Sequence, residues 1–108
     1  MTALRDDTLD IRTIATAATR LIGICGKCGK KLGGGFGADG DKPLAKLLRK
    51  AAGARGKRSA VRIMTTACLD ICPKNAVAMV DSHAPGMVLI VAKHAPVSRV
   101  CTRLGLGV

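Results

Sequence analysis

Four of the five cysteines in this chain of 108 residues fall in two close pairs, Cys25-Gly-Lys-Cys28 and Cys68-Leu-Asp-Ile-Cys72. Either spacing brings two thiolates within reach of one metal centre. The 39 residues between the pairs are enough for a helix and a strand to carry the second back beside the first. Four thiolates in one place suit a tetrahedral structural zinc or a cysteine-ligated iron-sulfur cluster. Zinc ribbons favour two tight pairs, which fits Cys25 and Cys28 better than Cys68 and Cys72. Glycines beside Cys25 and Cys28 leave backbone N–H groups free to approach sulfur, which suits an anionic cluster. Thiol-disulfide exchange would use Cys25 and Cys28 alone. It would want the pair to open a helix, whereas the glycines predict that the loop continues.

The other chemically able residues carry weaker signals. Cys101 falls on the apolar face of a predicted helix, where free cysteine is usually a core residue. His83 lies in a predicted turn and His94 near a strand end, and neither forms a Cys-x-His pair, so both read as solvated. Gly33-Gly34-Gly35-Phe36-Gly37 lacks the Gly-Lys-Ser or Gly-Lys-Thr of a phosphate loop and reads as a flexible shield over the cysteine site. Asp39 and Asp41 lack the remaining ligands of a calcium loop, and Asp70 reads as a solvated charge.

Charge is the second strong signal. Eighteen Lys and Arg against seven acids give a formal net charge of +11, which favours anionic partners. Lys27, Lys30, Lys31 and Lys74 lie within a few residues of the cysteine pairs, where they would offset the charge of a thiolate-bound centre and attract an acidic protein. Lys42, Lys46, Arg49, Lys50, Arg55, Lys57, Arg58 and Arg62 follow, in part as a solvated helix face. Base-reading nucleic-acid binding is disfavoured, because Phe36 is the single aromatic residue. A zinc-stabilised module that contacts phosphates only remains a rival.

Apolar residues make up 48% of the chain and are almost all aliphatic, so a core of Val, Ile, Leu, Met and Ala is expected. No apolar run reaches the roughly 18 residues that span a bilayer, and the first ten residues carry three acids rather than a basic leader. The expectation is a soluble, cytoplasmic protein, where clustered cysteines bind metal or do redox chemistry.

Position must come from the elements. Residues 1–15 read as a mobile arm, and 16–108 as one domain. Ala17 to Ile24 is a short β-branched strand that ends at the first pair. Cys25 to Asp41, with seven glycines, is predicted as one long loop. Asp41 is the expected N-cap of a helix over Pro43 to Ala52, with Leu44, Leu47, Leu48 and Ala51 at helical spacing. Ala60 to Thr66 is a strand that runs into Cys68. Ala76 to Val80 and Met87 to Lys93 form a hairpin across Asp81 to Gly86. Pro96 opens a last helix with Val97, Val100, Cys101 and Leu104 on one face, ended by Gly105 and Gly107. A strand, helix, strand crossover followed by a hairpin and helix makes an α/β fold, a thioredoxin-like four-stranded mixed sheet.

The stretch Thr66-Ala67-Cys68-Leu69-Asp70-Ile71-Cys72-Pro73-Lys74-Asn75-Ala76-Val77-Ala78-Met79-Val80 resembles the second ligand loop of the thioredoxin-like [2Fe-2S] ferredoxins, relatives of the small iron-sulfur subunit of respiratory complex I. The resemblance covers about Leu21 to Lys93. In that family two cysteines follow the first strand and two, three residues apart, follow the second. The first pair is more widely spaced there than Cys25 and Cys28 are here. The resemblance implies one [2Fe-2S] cluster held by Cys25, Cys28, Cys68 and Cys72, in an electron carrier rather than an enzyme. An electron carrier needs a redox partner protein and no small-molecule substrate, the lysines beside the pairs give that partner an acidic docking surface, and the resemblance further implies a capacity for homodimers.

Overall fold

A computed structural model describes residues 11–53 and 59–106. The first ten residues of the expected arm, Arg55, Lys57, Arg58 and Gly107 lie outside the described residues. Residues 11–19 are without helix or strand.

β1 (Arg20–Cys25) is flanked by β4 (Val61–Thr66), parallel and in register from Arg20↔Val61 to Cys25↔Thr66, and by antiparallel β5 (Ala76–Asp81). β5 pairs in turn with β6 (Val88–Ala92), which gives a four-stranded mixed sheet in the order β4-β1-β5-β6. Alternation sorts the faces. Ile22, Ile24, Ile63, Val77 and Met79 share one side, and all are buried in the core cluster. Leu21, Val88 and Ile90 share the other, and remain 47%, 37% and 51% exposed.

α2 (Leu44–Ala52) and α3 (Val97–Leu104) pack against each other and contribute Leu44, Ala45, Leu48, Val100, Cys101 and Leu104 to the same cluster. Burying each leucine contributes roughly 1.5–3 kcal/mol, while Lys46 and Lys50 on α2 stay in water. Arg49 is not a solvated member of that helix face. It is half-buried, and its Nε donates to the carbonyl of Ile63 at 3.0 Å, fastening α2 to β4. α2 begins after Pro43, with no side-chain cap, so Asp41 does not have the N-cap role its spacing suggests. Pro43 is already held at a helix-compatible φ of −68° and has no N–H to satisfy.

The glycine-rich stretch is not one long loop. Gly26–Lys31 forms a six-residue helix, α1, and Gly35–Phe36 (β2) pairs with Lys42–Pro43 (β3) in a miniature hairpin. Two glycines in six residues should cost α1 about 2 kcal/mol in intrinsic propensity. Packing outweighs that cost. A Cβ on Gly26 would stand 2.7 Å from Thr65 Cγ2, so a bare backbone is what lets α1 start flush against β4. The hairpin delivers Phe36 into the core at 0% exposure, so the interior is not wholly aliphatic as composition suggests. No helix of the described residues is long and apolar enough to cross a membrane.

Candidate metal centre

Both cysteine pairs leave the same end of the sheet because β1 and β4 run in parallel. Cys25 is the last residue of β1 and pairs with Thr66, the last of β4. Cys28 follows within α1, and Cys68 and Cys72 lie on the irregular segment 67–75 that joins β4 to β5. All four cysteines line one cleft of about 420 Å³, with Lys27, Lys31 and Lys74 in its walls. Lys30, the fourth lysine near the pairs, lines a neighbouring cavity instead. Cys101 is fully buried in α3, part of the core and apart from the cleft. His83, His94 and Asp70 are exposed and outside it.

The four thiols differ in setting. Cys25 and Cys28 are 1% and 6% exposed, Cys68 is half-buried, and Cys72 is exposed. Burial works to raise the Cys25 pKa, yet the N–H groups of Cys28, Leu69 and Lys27 and the Cys28 thiol outweigh it and bring the group below the ordinary thiol range. Cys28 is pushed up, by burial first and by the nearby charges of Cys25 and Cys72, against a backbone N–H of Ala78. The Cys68 sulfur accepts the N–H of Asp70 at 3.4 Å, and the Cys28 thiol faces the Ile71 carbonyl at 4.0 Å. Leu69 and Ala78 thus serve the sulfurs through backbone groups alone, which side-chain identity does not reveal. Asp70 and Asn75 bracket the second loop at φ of 62° and 53°. Asp and Asn are the non-glycine residues that best tolerate this left-handed conformation.

Four soft sulfur donors on the walls of one cleft, beside cationic side chains, fit a thiophilic metal group of negative charge. The sulfurs share the cleft without being drawn together. Among the described residues no three His, Cys, Asp or Glu side chains are grouped closely enough to hold a metal ion as they stand.

Two expectations change at this site. Gly33 to Gly37 do not line the four-cysteine cleft; Gly33 and Gly34 wall the adjacent cavity of about 470 Å³, where, among the described residues, Cys25 is the one cysteine they share it with. The Cys25 and Cys28 pair does open a helix, contrary to the loop its glycines suggest.

No family model, curated protein or solved structure matches the chain.

Proposed function

We propose that this chain is a small electron carrier of thioredoxin-like fold that holds one [2Fe-2S] cluster on Cys25, Cys28, Cys68 and Cys72. The observation that carries this reading is the convergence of both cysteine pairs, from the matching ends of parallel β1 and β4, on one cleft. The strand order β4-β1-β5-β6, with β5 antiparallel to β1, agrees with the thioredoxin-like layout. The bound cluster would supply one-electron redox chemistry. The chain's own part is ligation, partial burial and a cationic mouth. Lys27, Lys31 and Lys74 offset negative charge at the thiolates and favour the more negative, reduced state, and the same lysines receive an acidic partner.

Purification without oxygen tests the reading. The expected product is red-brown, contains two iron and two sulfide per chain, and gives a spin-half paramagnetic signal only after reduction. A colourless product with one zinc per chain would sink it.

One observation favours a second reading, a thiol-disulfide oxidoreductase. Cys25 stands at the start of α1 with its pKa lowered, and Cys28 lies buried behind it. That enzyme would reduce a protein disulfide in iron-free form, would lose activity in Cys25→Ser and would keep it in Cys68→Ser. The cluster reading expects no such activity, and loss of colour in both variants.

A further inference from the structure

The cleft is built unevenly, and the unevenness bears on what the site does with its cargo. Cys25 and Cys28 sit on a central strand and a helix, almost wholly buried. Cys68 and Cys72 sit on segment 67–75, which has no helix or strand, and Cys72 is exposed. Asp70 and Asn75, the two left-handed residues of that segment, lie on either side of Cys72 and turn the chain there without a helix or strand to frame it. A pure electron carrier gains from four sulfurs in one fixed frame, because ligands that stay put need little rearrangement on reduction. Two buried sulfurs on regular elements and two on an irregular outer segment suit ligand exchange in addition to electron transfer.

The cationic wall adds direction. Lys27, Lys31 and Lys74 line the cleft, and none is in an ion pair among the described residues. Their charge is therefore free to attract an incoming anion to the side where Cys72 is exposed.

We propose, on the reading that these cysteines hold a [2Fe-2S] cluster, that the chain hands the cluster to an acidic acceptor protein by thiolate exchange that begins at Cys72. The incoming thiol passes its proton to the Cys72 sulfur and takes over that sulfur's bond to iron. One iron-sulfur bond breaks, one forms, and no electron changes hands. Cys68 exchanges next, on the same outer segment. Cys25 and Cys28 let go last, because solvent and acceptor reach them least.

The test uses the iron-loaded chain under argon, challenged with three small thiols of different charge: mercaptosuccinate, 2-mercaptoethanol and cysteamine. Loss of visible absorbance is followed at matched thiolate concentration. Mercaptosuccinate is expected to strip the cluster about ten-fold faster than cysteamine at low ionic strength, an advantage that shrinks in high salt and in Lys74→Gln. With the iron-free form of an acidic plant-type [2Fe-2S] ferredoxin in place of the thiols, the acceptor's own visible spectrum should grow as the donor's fades. Lys74→Gln, which keeps all four thiolates, should transfer more slowly than the parent chain at low ionic strength, and circular dichroism reports whether it is folded. Equal rates for all three thiols, or a cluster that survives them while the acceptor stays colourless, would overturn the hand-over and leave the cluster reading intact. Failure to load iron in the first place would overturn the proposed function, and this inference with it.

Discussion

Arg20 closes a two-point ion pair on Asp81: its Nε lies 2.9 Å from Oδ1 and its second guanidinium nitrogen 2.5 Å from Oδ2, with both side chains nearly buried. The Arg20 guanidinium holds the Asp81 carboxyl below the usual carboxylate range, against the opposing effect of burial and with help from the N–H of His83. Because the native pKa is depressed, the pair's contribution is fully present above the ordinary aspartate pKa. It is lost as pH falls through that value to the lower native one. Arg20 is raised, and stays charged throughout. Asp81→Asn should cost about 3 kcal/mol at neutral pH, since it leaves Arg20 buried without its counter-charge. Urea unfolding midpoints measured between about pH 2 and 7 should fall in acid for the parent chain and much less for the variant.

Cys68→Ser should abolish or severely weaken iron binding, whereas Cys101→Ser should retain the full iron content. The Cys101 substitution still lowers thermal stability, by about 1–3 kcal/mol, because it places a hydroxyl at a position with 0% exposure. Iron analysis and a melting curve on the same samples separate the two effects. Equal loss of iron in both variants would contradict the assignment of Cys101 to the core.

Replacing Lys27 and Lys74 together by Gln removes two positive charges from the cleft wall. The midpoint potential should fall, by roughly tens of millivolts, because the reduced centre is the more negative state. Protein-film voltammetry at two salt concentrations reads this directly, and the difference between variant and parent should narrow as salt rises.

Gly34 has φ of 94°, and a Cβ there would collide with the backbone carbonyl of Asp41. Gly34→Ala should therefore unseat the β2–β3 hairpin and cost about 2 kcal/mol or more. Gly53 has φ of 65° at the end of α2 but open space around it, so Gly53→Ala should cost only about 1 kcal/mol. A comparison of the two melting temperatures distinguishes crowding from backbone preference.

Most of the main sheet was legible in the sequence, because Ile22, Ile24, Ile63 and Val77 lie in short β-branched runs bounded by turn residues. α2 was legible for the analogous reason, its leucines recurring at helical spacing. The start of α1 was not. Glycine lowers helix propensity, and nothing local announces that Gly26 must lie flush on Thr65. Asp41 was misread because Ncap preference is a local tendency, and the pairing of Lys42 and Pro43 with the glycine hairpin decided the start of α2 instead. At the site, spacing was enough to nominate the four cysteines and to place them at one sheet end. The difference in exposure between Cys28 and Cys72 was not readable, since it depends on how α1 packs against β5 and how segment 67–75 departs from β4.

β6 has a further consequence. It is an edge of the sheet, and Val88 and Ile90 face outward from it without a charged residue between Val88 and Ala92. Bare strand edges of this kind template the stacking of one molecule on another. The chain carries no lysine in β6 to discourage this, so the task falls to its overall charge of +11, through mutual repulsion. Colloidal stability is then borrowed from residues elsewhere on the molecule. Salt that shortens the range of that repulsion, to about 8 Å at physiological ionic strength, brings molecules close enough for β6 edges to meet.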